Sequence, residues 1–207
     1  QWQGGGYALV HLGEWIKLRT MPLGAARVVH SLLNRPHPRL TMLQIGANDG
    51  NIGASNDPVQ GMLRHTAVRA VLVEANPIIF VDLQQNLRNA LGASALSTGR
   101  VVPRNVAACP HVKESTNLTF YVVDESFQTQ FTNAPHWATK QISSVFRANV
   151  ETGVRLALEN PKIGGFHHEH ALREAPRYVR PISVPCEPPG AMLRASGIEP
   201  SEIEVFA

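Results

Sequence analysis

The spacing of apolar and polar positions changes near residue 40. Residues 1–40 carry apolar side chains at mixed helical spacings, with an interruption at Pro22 and two closing prolines, Pro36 and Pro38. This pattern predicts an N-terminal helical segment over residues 1–40. From Thr41 onward, short apolar runs alternate with stretches of helical spacing, which separates a second region, residues 41–207.

The second region has the pattern of strands alternating with helices. Asn76 is suited to cap a helix that has Pro77 in its first turn and continues through Leu87, and residues 191–195 predict a shorter helix. Alternating strands and helices favour crossover connections and a mainly parallel sheet flanked by helices, so the predicted fold class is α/β and Rossmann-like. The apolar runs predict strands over residues 42–45, 68–73, 101–106, 118–123 and 182–184.

Residues 124–185 are polar, contain several prolines and histidines, and show no clear period. We predict a loop-rich insertion here, or a region facing a substrate. The stretch "GGFHHEH", residues 164–170, contains three histidines and a glutamate. Adjacent histidines point in different directions on a regular element, and the HExxH spacing is absent, so we interpret this stretch as a polar loop and predict no metal site.

Composition excludes several classes of function. Apolar residues make up 43% of the chain and charged residues 17%, which is typical of a soluble globular protein. The net charge is only +3 and no run of five basic residues occurs, so we predict no nucleic-acid partner. No apolar run approaches the ~20 residues of a membrane span. Cys109 and Cys186 belong to no metal or redox motif, and we predict two buried thiols rather than a disulfide.

A turn with two glycines and a carboxylate follows the first predicted strand, in "LQIGANDG". Ligands of parallel sheets bind at the carboxyl ends of the strands, which is where this turn lies. Gly46 and Gly50 permit positive φ and a close approach of the backbone to a ligand. The turn lacks the GxGxxG spacing and the Lys-Ser/Thr pair of phosphate-binding loops, which favours an uncharged or cationic ligand.

Two further polar residues close the next strands. Glu74 ends the second strand, roughly 20–25 residues after the turn, where nucleoside-binding domains place an acid that holds ribose hydroxyls. Asn105 ends the third predicted strand at the same edge and is suited to hydrogen-bond an adenine edge. The three features in this order favour a nucleoside ligand.

The chain resembles the FkbM-type S-adenosylmethionine-dependent methyltransferases. The resemblance is carried, in family order, by "LQIGANDG" with "NDP", "VLVEANPIIFVDLQQN", "NVAA", "LTFYVVDE", "QISSVF" and "ISVPC". It implies a Rossmann-like domain, S-adenosylmethionine as cofactor, and methyl transfer to a hydroxyl oxygen of a small molecule or carbohydrate. It also implies that the methionine part lies against Gly46, Asn48, Asp49 and Gly50, the ribose against Glu74, and the adenine near Asn105 and Val106.

The sequence defines the binding site of the methyl acceptor less well than that of the cofactor. A sulfonium favours a nearby carboxylate, for which Asp49 is the candidate, and Ser143 and Ser144 in "KQISSVF" are candidate hydrogen-bonding partners of an acceptor. Members of the family continue after a strand like "EIEVFA" with an acidic Asp-x-Glu-Gly segment, whereas this sequence stops at Ala207. We therefore interpret residues 41–207 as a partial, C-terminally truncated domain and assign no catalytic base.

Two alternatives remain open at this point. A NAD(P)-dependent oxidoreductase is disfavoured because GxGxxG and a Tyr-x-x-x-Lys pair are both absent. A non-catalytic nucleoside-binding or interaction domain gains weight from the missing acidic segment. No feature of the sequence selects a compartment or an oligomeric state.

Overall fold

The computed structural model describes residues 39–51 and 61–206, together with residues 8–9, 15–16 and 31. Its strands within these residues are β1 Ala8–Leu9, β2 Trp15–Ile16, β3 Leu40–Ile45, β4 Val68–Val73, β5 Val101–Arg104, β6 Ala107–Ala108, β7 Thr116–Val123, β8 Ser143–Ser144, β9 Val179–Glu187 and β10 Val205–Phe206. The α-helices that begin and end within residues 61–206 are α1 Pro77–Leu91, α2 Ala93–Ser97, α3 Glu125–Gln130, α4 Arg147–Glu159, α5 His168–Glu174 and α6 Pro189–Ala195. Tighter or wider turns occur as a π-helical stretch, Trp137–Gln141, and as 3₁₀ turns at Ala175–Tyr178 and Pro200–Glu202.

Four strands form a parallel sheet in the order β10-β3-β4-β5. Ile45 lies opposite Val73 and Val73 opposite Arg104, so β3, β4 and β5 end at the same edge. The chain moves outward from β3 to β5 and later returns to the other side of β3 with β10. The carboxyl end of β3 is therefore a switch point of the strand order, where open α/β sheets bind ligands.

Helices cover both faces of this sheet. Side chains alternate across a strand, so Met42 packs in the cluster that contains Leu83 of α1, while Leu43 packs in the cluster that contains Met192 of α6. Burial on both faces explains why β3 and β4 appear in the sequence as nearly continuous apolar runs. The prediction of an α/β fold with a mainly parallel sheet flanked by helices is confirmed.

The start of α1 also agrees with the sequence. The side chain of Asn76 accepts a hydrogen bond from the backbone N–H of Ile78 at 3.0 Å, and Pro77 occupies the first helical position. Both signals act locally and need no tertiary partner.

A second, mixed sheet has the order β6-β9-β7-β8. β9 pairs antiparallel with β7 and parallel with β6. Helix α4 lies against this sheet and buries Val150, Val154 and Leu158 completely. The prediction that residues 124–185 are loop-rich is therefore wrong, because the region holds α3, α4 and α5. The i, i+4, i+8 spacing of the buried side chains of α4 is a helical signal that the prediction did not include, and the "GGFHHEH" stretch is partly helical rather than a loop.

The third predicted strand is divided. The chain follows the parallel sheet only to Arg104, and after Asn105 and Val106 it joins the second sheet at Ala107. A continuous strand over 101–106 is thus wrong at its end, because Asn105 turns the backbone from one sheet into the other.

The prediction of an N-terminal helical segment is wrong at the first residues that the structure describes. β1 and β2 pair antiparallel, with Ala8 opposite Ile16 and Leu9 opposite Trp15, so these four residues are extended rather than helical. Ser31 is helical, as predicted. The rest of the predicted helical segment lies outside the described residues.

The two cysteines form a disulfide, so the prediction of separate thiols is wrong. Cys109 and Cys186 are 77 residues apart, with Cα atoms 5.7 Å from each other. The pairing of β6 with β9 places Ala107 opposite Cys186, which brings Cys109 beside it. Strand register, which the sequence does not display, creates this proximity.

Candidate functional site

A cavity of about 370 Å³ lies between the carboxyl ends of β3 and β4 and the second sheet. The parallel sheet contributes the ends of two strands and the turn after β3. The second sheet contributes β6 and residues of β7 and β8, and α1 and the π-helical stretch complete the wall. The lining residues are Ile45, Gly46, Asn48, Val73, Glu74, Ala75, Ile79, Val106, Ala107, Ala108, Phe120, Lys140, Gln141, Ser143 and Val145.

Glu74 is the buried charge of this cavity, with 7% of its surface exposed. One carboxylate oxygen accepts the backbone N–H of Asn48 at 3.0 Å and the other accepts that of Asn76 at 2.8 Å. Burial raises the pKa of Glu74 above its usual range, and the backbone hydrogen bonds from Asn76, Asn48 and Ala75 oppose this shift. The carboxylate therefore connects the turn after β3 to the end of β4.

The turn after β3 owes its shape to positive φ angles at Gly46 (77°), Asn48 (53°) and Gly50 (61°). The backbone N–H groups of Gly46 and Ala47 both donate to the carbonyl of Val73, at 2.8 and 2.9 Å. A side chain at Gly46 would meet no atom within 4 Å, whereas one at Gly50 would collide with Leu83.

The two glycines consequently have different roles. Gly46 lines the cavity, and its missing side chain leaves open space on the cavity wall. Gly50 is buried and does not line the cavity. The geometry therefore does not place Gly50 beside a ligand, in contrast to the prediction. Its missing side chain instead lets α1 pack against the turn.

Asp49 also lies off the cavity wall. One carboxylate oxygen accepts the backbone N–H of Asn51, and the other is 3.8 Å from Nδ1 of His136. Its backbone carbonyl accepts a hydrogen bond from Asn86 of α1 at 2.8 Å. Asp49 therefore belongs to the border of the site, one residue from the lining residue Asn48.

Asn105 holds the backbone rather than facing the cavity. Its side-chain amide donates to the carbonyls of Glu74 and Ala75, at 2.9 and 3.2 Å. Both amide hydrogens are thereby used inside the protein, and Asn105 is not among the lining residues, so the geometry gives no support to the predicted contact with adenine. Val106, the next residue, does line the cavity.

Ser143 and Ser144 also differ in whether they line the cavity. Ser143 lines the cavity. The hydroxyl of Ser144 accepts the backbone N–H of Phe146 at 3.1 Å and lies 3.4 Å from the amide of Asn149, so Ser144 organises the start of α4. Neighbouring residues of a strand point to opposite faces, which explains the difference.

The polar residues that the π-helical stretch contributes to the cavity wall were not predicted from the sequence. Lys140 and Gln141 line the cavity from the π-helical stretch, and Nζ of Lys140 is 2.5 Å from a carboxylate oxygen of Asp82 on α1. Nε2 of His136 is 3.7 Å from the same oxygen of Asp82. No local pattern marks these residues, although π-helical turns are frequent at functional sites.

A larger cavity of about 810 Å³ lies at the opposite, amino ends of the strands, where Arg69 and Arg100 contribute to its wall. Arg100 donates to the carbonyls of Leu63, His65 and Val68, and Arg69 donates to that of Gly197 at 2.8 Å. These cations are occupied in holding the fold together. The cavity at the carboxyl ends is the better candidate because ligands of parallel sheets bind there.

The described residues were also compared with the requirements of a membrane-spanning helix and of a metal site. Within residues 39–51 and 61–206, no helix has the length and apolar character needed to cross a bilayer. In the same part of the chain, no three His, Cys, Asp or Glu side chains are grouped as metal ligands would be. His168 instead pairs with Glu159 at 2.6 Å, and this contact and Arg155 keep the pKa of Glu159 below its usual range.

No family model, curated protein or solved structure matches this chain. The resemblance to the FkbM-type methyltransferases therefore stays a prediction from sequence motifs. What the chain does is inferred from the cavity, its buried carboxylate and the topology that brings them together.

Proposed function

We propose that this chain is a Rossmann-like S-adenosylmethionine-dependent methyltransferase domain that transfers a methyl group to a hydroxyl oxygen of a small molecule or carbohydrate. One observation carries the proposal: the buried carboxylate of Glu74, at the end of β4, is bonded to Asn48 in the turn after β3, and both residues line one cavity. This is the switch point of the parallel sheet, where a nucleoside-binding domain holds its ligand.

The residues of the cavity fit a nucleoside. The carboxylate of Glu74 accepts the backbone N–H groups of Asn48 and Asn76, with a further backbone contribution from Ala75, and a carboxylate offers about four acceptor sites, so acceptor capacity remains for a ribose hydroxyl. Ile79 and Val106 provide apolar surface for a flat base. The volume of about 370 Å³ falls within the range of small-molecule sites, roughly 300–1,000 Å³.

Different parts of the cavity wall then bind the cofactor and orient the acceptor. Bound S-adenosylmethionine supplies an electrophilic methyl group on a sulfonium. Glu74 holds the ribose, and Gly46 and Asn48 lie against the methionine part. Lys140, Gln141 and Ser143 present hydrogen-bonding groups on the opposite wall, where an acceptor hydroxyl has to be oriented. Orientation of two reactants contributes as much as roughly 7–11 kcal/mol to such a transfer.

Titration calorimetry with S-adenosylhomocysteine and with NAD⁺ tests the proposal. We expect binding of S-adenosylhomocysteine and no heat from NAD⁺. The reverse result would replace the proposal with a dinucleotide-dependent oxidoreductase, and silence with both ligands would refute it. If S-adenosylhomocysteine binds, transfer of a labelled methyl group to hydroxylated acceptors separates a methyltransferase from a non-catalytic nucleoside-binding domain.

A further inference from the structure

Four charged or ionisable side chains meet at the border of the cavity. Asp49 lies in the turn after β3 and Asp82 on α1, while His136 directly precedes the π-helical stretch that contains Lys140. Of these, Lys140 also lines the cavity, as does Glu74.

Lys140 poses an electrostatic problem for a cationic ligand. A cavity of about 370 Å³ brings any charge inside it within roughly 10 Å, one Debye length, of the lining groups. An ammonium in the wall would therefore repel a sulfonium. Asp82 offsets this repulsion because its carboxylate is 2.5 Å from Nζ of Lys140.

The surroundings of the cavity are negative once this pair is formed. Asp82 and Lys140 cancel each other, and the carboxylates of Glu74 and Asp49 remain. His136 lies 3.8 Å from Asp49 and 3.7 Å from Asp82, and it adds a positive charge only when it is protonated. A ligand with one positive charge gains from this environment, whereas a neutral ligand of the same shape does not.

We infer that Asp82 neutralises the ammonium of Lys140 on the cavity wall and thereby preserves the preference of the cavity for S-adenosylmethionine, a cation, over S-adenosylhomocysteine, the neutral product left after methyl transfer. The inference rests on the proposed function, since it assigns the same cavity to both ligands. Its consequence is that the charge lost with the methyl group weakens binding of the product and favours its release.

Two single variants and their combination test the pair by calorimetry at low salt. Asp82→Asn leaves the ammonium of Lys140 without its carboxylate, and we expect the Kd for S-adenosylmethionine, relative to that for S-adenosylhomocysteine, to rise about tenfold. Lys140→Met leaves the carboxylate without its ammonium, and the ratio falls by a similar factor. The double variant removes a neutral pair, so its ratio stays within about twofold of the wild-type ratio.

Glu151→Gln supplies the matched control. Glu151 forms an ion pair with Arg147 on α4, at 2.7 Å, and neither residue lines the cavity. The same loss of one carboxylate there leaves the ratio unchanged. Circular dichroism verifies folding of every variant, and if Asp82→Asn does not fold, Lys140→Met and the double variant decide the question.

The outcomes separate this inference from the proposed function. If wild-type protein binds neither ligand, the proposed function fails and the inference fails with it. If both ligands bind and the ratio is the same in all folded variants, only the role of the pair is overturned. A ratio that moves in opposite directions in the two single variants, and returns in the double variant, supports it.

Discussion

The carboxylate of Glu74 accepts the backbone N–H of Asn48 across 26 positions of sequence. This bond ties the end of β4 to the turn after β3 and leaves Glu74 buried on the wall of the cavity. The two residues come from neighbouring parallel strands, so their contact depends on the sheet. A buried carboxylate in this position has consequences for binding and for stability that can be measured separately.

Replacing Glu74 with alanine should weaken binding of S-adenosylhomocysteine by about 1.5–3 kcal/mol, the usual worth of hydrogen bonds to a charged group. Titration calorimetry measures the change. Glu114→Ala removes a carboxylate from an exposed position and serves as the control, with affinity unchanged. Equal affinities for the Glu74 variant and the wild type would reject the ribose assignment.

The burial of Glu74 also predicts how stability depends on pH. Its pKa is raised in the folded state, so the folded protein holds this proton more tightly than the unfolded chain does. The contribution of Glu74 is fully present at pH values below the usual carboxyl range and is lost as pH rises through the raised pKa.

Glu74→Gln isolates this effect because glutamine does not titrate. Urea unfolding at a series of pH values should show the wild type losing stability relative to the variant as pH rises, by at most about 1.4 kcal/mol per pH unit. All other groups titrate alike in the two proteins and cancel. A relative gain for the wild type on raising the pH would mean that the fold lowers this pKa.

Gly50 and Gly46 should respond differently to alanine. Both have positive φ, which costs an alanine about 1–2 kcal/mol, but only at Gly50 does the added carbon collide with Leu83. Gly50→Ala should therefore lower the free energy of unfolding by roughly 1–3 kcal/mol more than Gly46→Ala does.

The same two variants separate packing from ligand contact. Gly46→Ala places its new carbon in open space on the cavity wall and should weaken S-adenosylhomocysteine binding although the protein stays folded. Unfolding curves and calorimetry on both variants provide the comparison. Equal stability of the two variants would contradict the packing role of Gly50.

Loss of the Cys109–Cys186 disulfide should lower the free energy of unfolding by about 2–5 kcal/mol. Thiol titration of the denatured, unreduced protein should detect no free thiol, since these are the chain's only two cysteines. Denaturation with and without reductant measures the energetic effect, and the Cys109→Ser/Cys186→Ser variant should be insensitive to reductant. Two reactive thiols in unreduced protein would restore the prediction made from the sequence.

Asn105→Ala should lower the free energy of unfolding and should not selectively weaken ligand binding. The variant removes the donor shared by the carbonyls of Glu74 and Ala75, which costs as much as about 1–3 kcal/mol for partly buried acceptors left without a partner. Asn105→Asp should be worse, because a carboxylate would face two carbonyl oxygens. A selective loss of S-adenosylhomocysteine binding at unchanged stability would instead favour contact with adenine.

The elements that the sequence predicted well are those with local causes. β4 has the predicted bounds, and α1 begins where Asn76 and Pro77 indicate, because a buried apolar run and a capping side chain act within a few residues. The order of the glycine turn and Glu74 also predicted that both lie at one edge of the sheet, since parallel strands end together.

The tertiary structure alone decided the rest of the site. The division of the third strand at Asn105, the Cys109–Cys186 bond and the wall containing Lys140 arise from pairing between segments that lie far apart in sequence. Only folding reveals which of two neighbouring residues, such as Ser143 and Ser144, faces the cavity. The physical reason is that local propensity acts over a few residues, whereas strand register and helix packing depend on contacts that no single stretch of sequence contains.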